Sequence, residues 1–195
     1  MPHKITHALV TPEAYLSHEK ASQDTRHEYI DGYVVAMAGG SIRHGKMITN
    51  IARLLGNHLV GKPCDVFSSD VKLKVESAFV KSFRYPDVMV SCEQNRRFDD
   101  MCESATVLVE VLSESTELTD RVYKSAEYGH VLKATQGEYL VVDPDHPVIE
   151  KRMWHEGRFE VVATYGSGDI ITLDSLKLEL SMDDLYPDSS GAGLA

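Results

Sequence analysis

The segment "TVLVEVLS", residues 106–113, decides the fold, because it reads as a strand apolar on both sides and yet carries Glu110 between two valines. Near-continuous Val and Leu runs belong to strands at the centre of a sheet that is covered on both faces. A carboxylate in such a place must be paired, hold a cation or stay neutral. The segment "YPDVMVSC", residues 85–92, repeats the pattern, with Asp87 entering a second apolar run 23 residues earlier. Two such carboxylates on strands expected to be neighbours in one sheet point to a site.

Working outward, the elements alternate in kind. Thr11, Pro12 and Glu13 give a helix start over 11–20, with an N-cap, proline at the first helical position and acid in the first turn. Asp31-Gly32 joins two short strands within 26–39, the strongest short hairpin signal. Ser41 caps a helix over 41–60 whose Ile48, Ile51, Leu54, Leu55 and Leu59 fall on one face, and Gly61 and Pro63 stop it. Alternation in 64–77 sets Val71, Leu73 and Val75 against Lys72, Lys74 and Glu76. A polar, mobile stretch is expected over 93–104, a helix from Thr116 to about residue 134, a strand over 137–147, a hairpin about Glu156-Gly157 and one last strand. This order predicts an α/β fold with a mixed sheet flanked by helices. A single domain over 1–186 with a flexible tail over 187–195 accounts for the chain, which shows no repeat and no linker.

Composition narrows the function classes. The 195 residues carry 20 Lys and Arg against 30 Asp and Glu, a formal charge of −10. That balance disfavours non-specific coating of nucleic acid, whose affinity rests on cationic contacts to phosphate. A local basic patch from Lys72, Lys74, Lys81, Arg96 and Arg97 would offset it. Cys64, Cys92 and Cys102 are odd in number and match no zinc spacing, so three ordinary thiols in a reducing cytoplasm are expected. No signal peptide and no membrane span is expected, since no apolar run approaches about 20 residues.

Asp87 and Glu110 converging at one sheet edge would offer oxygen ligands to Mg2+ or Mn2+, with water and a phosphate oxygen completing the shell. Such an ion activates water and stabilises charge on a phosphodiester. Lys124, 14 residues after Glu110 on the following helix, is the candidate cation beside it. Each has a bland alternative: a turn for Pro-Asp, a solvated helix face for Lys124.

In order along the chain, "HEYIDGYVVAMAGGSIRH", "SSDVKLKV", "YPDVMVSC", "LVEVLSESTELTDRVYKSAEY" and "GEYLVVD" resemble the Uma-type family of restriction-endonuclease-like proteins, within the PD-(D/E)XK nuclease superfamily. The resemblance covers roughly residues 11–160. It implies a restriction-endonuclease-like core and a metal site on Asp87 and Glu110. The superfamily lysine, two residues past the acid, falls on Leu112 here, and the Uma-type pattern implies its transfer to Lys124. Glu114 stands where the family has proline. Three more residues occupy family-like positions: Glu28 as an added metal ligand, Asp70 as ligand or partner of one, and His44 as a phosphate contact near a helix N-terminus. For these the alternatives are a cross-strand ion pair, a turn and an exposed helix residue.

The resulting expectation is a Mg2+- or Mn2+-dependent endonuclease acting on nucleic acid, most simply DNA, as a homodimer in the cytoplasm. The competing expectation keeps the nuclease fold without catalysis and uses it for protein interaction or dimeric assembly.

Overall fold

The computed structural model describes residues 9–78, 80–113 and 115–187. Glu114 and, apart from Pro187, the tail expected over 187–195 lie outside the described residues. The chain runs α1 (Pro12–Ala21), β1 (His27–Ile30), β2 (Tyr33–Ala36), α2 (Ile42–Leu59), β3 (Asp65–Ser68), β4 (Lys72–Glu76), β5 (Lys81–Arg84) and β6 (Val88–Ser91). There follow β7 (Arg97–Phe98), β8 (Met101–Cys102), β9 (Val107–Val111), a π-helical turn (Thr119–Lys124), α3 (Ser125–Thr135) and β10 (Glu138–Asp143). The chain closes with β11 (Val148–His155), β12 (Arg158–Tyr165), β13 (Ile170–Leu173), β14 (Leu178–Ser181) and α4 (Met182–Leu185).

The fold is mixed α/β, as the element order predicts. One sheet has the order β12-β11-β10-β9-β6-β3, and a second has the order β2-β1-β5-β4-β8-β7. Within the first, β9 and β10 are parallel and every other pairing is antiparallel. A parallel pair needs a crossover, and the π-turn with α3 supplies it. The period-2 alternation of β6 and β9 sorts their side chains onto two cores. Val88, Val90, Val107, Val109 and Val111 pack towards Met47, Ile51, Leu55 and Leu59 of α2 and the β13–β14 hairpin. Met89 and Leu108 pack the other way, with Tyr128 and Leu132 of α3 and Leu73 and Val75 of β4. Both helix starts are capped as read: Thr11 Oγ1 accepts from Ala14 N at 3.2 Å and Ser41 Oγ from His44 N at 3.1 Å.

Four expectations are corrected. The stretch expected to be mobile contains β7 and β8, and β8 pairs in parallel with β4, which joins it to the second sheet. The single last strand is a hairpin of two, β13 and β14. Lys72, on the face opposite Leu73 and Val75 and read as part of a basic patch, is buried, 2.6 Å from Asp100 and over the ring of Tyr85. Cys64 and Cys92 are joined in a disulfide, and only Cys102 remains a buried thiol. The reason is register: Asp65 pairs with Ser91, so one step further brings Cys64 opposite Cys92. The cysteines therefore carry no argument for a reducing compartment. No helix among the described residues is long and apolar enough to cross a membrane.

Candidate active site

Asp87 and Glu110 meet because of strand register. Val88 lies opposite Val109 in the antiparallel β6–β9 pair, and one further step sets Asp87 opposite Glu110. Residues opposite each other project from the same face, with Cβ atoms about 5 Å apart. Here that face is the one covered by α3. Asp87 Oδ2 accepts from Val111 N at 2.7 Å and lies 3.4 Å from His44 Nε2. Glu110, only 2% exposed, receives the Tyr128 hydroxyl on Oε1 at 2.6 Å, and Lys124 Nζ lies 2.9 Å from the same oxygen. Those contacts all fall on one oxygen of each carboxylate.

Lys124 reaches Glu110 from the π-turn, where it also lies 3.0 Å from Asp120, its i,i+4 neighbour. Such turns loosen the regular helix bonds and recur at functional sites. Two carbonyls of the turn are taken by side chains from the sheet: Tyr139 hydroxyl donates to Asp120 O at 2.9 Å, and Arg152 donates to Arg121 O. Asp120 is buried, and its Oδ1 accepts no hydrogen bond of good geometry although the Lys124 ammonium faces it. Glu28 enters from β1 of the second sheet, 3.8 Å from Lys124 Nζ. It accepts from Arg84 Nη1 at 2.9 Å and from Tyr85 N at 3.3 Å. Arg84 is fully buried and is held on its other side by Glu127, through Nε at 2.8 Å and Nη2 at 2.5 Å.

His44 sits in the first turn of α2, half-buried against Asp87. The hydrogen bond to Asp87 raises its pKa above the ordinary histidine value, against the opposing effect of burial. The chain passes close over its ring at Gly40, where a Cβ would lie 2.5 Å from Nδ1. Burial drives the Glu110 carboxyl well above its ordinary range, with Asp87 and Asp120 adding to the effect and Lys124 opposing it. Burial also raises Asp120. For Glu28 burial pushes upward, but Lys124 and Arg84 outweigh it and the net shift is down. Burial alone would depress Lys124, and the carboxylates of Glu110, Glu28 and Asp120 hold it well above the usual lysine value instead.

Glu28, His44, Asp87, Glu110 and Lys124 thus line one cleft of about 320 Å3. Asp70 does not join them: its side chain is 68% exposed and paired with Arg26. Four buried groups were missed by sequence reading, namely Asp120, Tyr128, Arg84 and Glu127. The proposed basic patch is neutralised in place. Lys72 pairs with Asp100, Lys74 with Glu76 and Glu103, Lys81 with Glu76, Arg96 with Glu93 and Glu103, and Arg97 with Asp65.

Around the cleft, the carboxylates of Glu28, Glu110, Asp120 and Glu127 share two permanent cations, Lys124 and Arg84, while Asp87 faces His44. An excess of hard oxygen donors in a half-closed cleft fits Mg2+ or Mn2+. Asp87 Oδ1 and Glu110 Oε2, which the contacts above leave aside, are the oxygens that could hold such an ion.

Comparison with known proteins agrees with the architecture. The family model Uma2, described as "Putative restriction endonuclease", matches residues 12–184. An uncharacterized protein of Synechocystis sp. (strain PCC 6803), slr1290, is 31% identical over 178 residues, which cover 91% of each chain. A second uncharacterized protein of that strain, sll1609, is 30% identical over 141 residues, 71% of this chain and 77% of that one. A crystal structure from Anabaena variabilis, of a "putative nuclease belonging to DUF820", superposes with a TM-score of 0.71 at 16% identity, covering 91% of this chain and 98% of that one. At that identity the similarity is one of fold.

Proposed function

The chain belongs to the Uma2 family, and from that premise we propose that it is a metal-dependent endonuclease that hydrolyses phosphodiester bonds of nucleic acid, DNA in the first instance. The observation that carries the proposal is the convergence of Asp87, Glu110 and Lys124 in one cleft. Asp87 and Glu110 would hold Mg2+ or Mn2+, with Glu28 behind Lys124 as a further carboxylate of the shell. The ion would supply Lewis-acid activation of water and of the scissile phosphate. Lys124, fixed between three carboxylates, presents an ammonium that can orient the attacking water and neutralise charge as it builds on phosphorus-bound oxygen. His44 is held in its protonated form by Asp87 over a wider pH range than a free histidine, and is suited to donate to a phosphate oxygen. Asp70, away from the cleft, has no part in this reading.

The test is cleavage of plasmid and single-stranded DNA with Mg2+ or Mn2+. Wild-type protein is expected to cut, and Asp87→Ala to lose activity by about 10^3-fold or more, beyond the loss of one stabilising donor. Equal cleavage by the two would remove Asp87 from the chemistry.

Proton linkage gives a second check. Burial raises the Glu110 pKa, and a bound cation favours its ionised form, so metal binding and proton release at Glu110 are linked. Metal binding is expected to release protons, and affinity to fall as pH is lowered through the raised Glu110 range. Calorimetric titrations in buffers of different ionisation enthalpy should give different heats. Identical heats in all of them would show that the ion displaces no proton from Glu110.

A second reading, a non-catalytic assembly domain, is favoured by one observation. The edge strand β12 exposes Val161 and Val162, and an open edge with apolar side chains is a template for pairing with a second copy. It gains if millimolar Mg2+ and Mn2+ fail to raise the melting temperature while sedimentation reports a dimer.

A further inference from the structure

A second cluster of metal-ligating side chains lies outside the acidic cleft. His18 and Glu19, at the end of α1, and His27, at the start of β1, bring one donor atom each within 4.8 Å of one another. We propose that these three residues bind a zinc-type divalent cation, distinct from the ion of the acidic cleft.

Three observations support the assignment. First, the parts are already aligned. The imidazoles of His18 and His27 have centroids 5.6 Å apart in an edge-on arrangement. Two imidazoles on one tetrahedral ion, at metal–nitrogen distances of about 2.1 Å, place their centroids about 5.2 Å apart. Second, the carboxylate is preorganised. Glu19 is buried, and its Oε1 receives His27 N at 2.9 Å and the Tyr85 hydroxyl at 3.0 Å. Its Oε2 lies 3.0 Å from His27 Nδ1, and an ion can take the place of the proton now shared between them. Third, the site has access. A cleft of about 480 Å3 opens against both histidines, bounded by Ala14, Tyr15, Val34 and Ala36, with room for a water ligand.

The donor set decides the metal. Two imidazoles and one carboxylate match Zn2+ or Co2+, whereas Mg2+ prefers oxygen and keeps its water. Three protein ligands leave a fourth position open, so exchangeable binding is expected. The site would also clamp the end of α1 to β1, one residue before Glu28, which enters the acidic cleft.

The experiment is a titration of the untagged chain with Co2+, read by visible ligand-field absorption. Wild-type protein is expected to develop a band that saturates at one ion per chain, is abolished by Zn2+ and ignores excess Mg2+. His18→Ala, a truncation at an exposed helix position, is expected to lose the band, and Asp87→Ala to keep it. No absorption in the wild type, or a band undiminished in His18→Ala, overturns the site. Loss in Asp87→Ala with retention in His18→Ala would assign the ion to the acidic cleft and likewise overturn it. His27→Gln must lose the band together with His18→Ala, since the two are ligands of one ion.

Discussion

Replacing Lys124 by methionine is expected to lower the cleavage rate by about 10^2–10^3-fold, the loss typical of one charge-stabilising donor. The same change removes the cation that Glu110, Asp120 and Glu28 share. Breaking a buried charge cluster from one side costs about 3–5 kcal/mol where the remaining charges stay ionised. Glu110 can escape by keeping a proton, because losing Lys124 removes the main effect that holds its raised pKa down. The sign follows. A carboxyl whose folded pKa lies above its unfolded value of about 4.3 costs stability as pH rises from the unfolded to the folded value. The variant, with the higher folded value, goes on losing after the wild type has levelled off. Thermal unfolding should therefore show Lys124→Met much weaker than wild type at alkaline pH and closer to it under mildly acidic conditions. A deficit independent of pH would mean that Glu110 is not the group left uncompensated.

The second large effect belongs to Arg84. Its guanidinium is the only link between Glu28 and Glu127 among the described residues, and it is fully buried. Arg84→Met is expected to cost about 3–5 kcal/mol, because two desolvated carboxylates lose their partner. For a chain of this size that is a fall in Tm of about 6–20 °C. Glu127 loses both of its guanidinium bonds and, among the described residues, keeps the Ser82 hydroxyl at 2.6 Å, whereas Glu28 retains Tyr85 N and Lys124. The double variant Arg84→Met, Glu127→Met, which removes the pair as a unit, should accordingly recover part of the loss. A double variant no more stable than the single would show that packing of the arginine stem, not charge, sets the cost.

These two residues also mark where sequence reading stops. Glu110 stands out in the sequence because it breaks an apolar run on both sides, whereas Asp87, which a Pro-Asp turn would explain by itself, stands out only beside the rest of the pattern. Their meeting follows from register on adjacent strands. Arg84 and Glu127 sit in "KSFRYP" and "KSAEYG", where charged neighbours make either residue look like ordinary surface. Arginine is seldom buried, so no local pattern announces one that is. Asp120 was hidden for a different reason: it lies in "STELTDR", a polar stretch at a helix start, where an acid reads as an ordinary exposed first-turn residue. Lys124 was reached through its place after Glu110 and through family resemblance, not through periodicity. The five basic residues read as a patch failed because strand alternation says which way a lysine points and nothing of the acid waiting there. Asp70 and the Cys64–Cys92 bond failed alike, since pairing across many residues belongs to tertiary structure.

The widened turn at Thr119–Lys124 has a consequence for how such a site can be lost. Position along an α-helix advances by about 100° per residue. Deleting any one of residues 119–123 would shift the lysine by one place relative to the start of the turn and swing its ammonium round the axis, away from Glu110, with Asp87, Glu110 and the lysine all still encoded. Descendants of this gene could thus fall silent by a change in length alone, and an inventory of retained residues would still count them as intact.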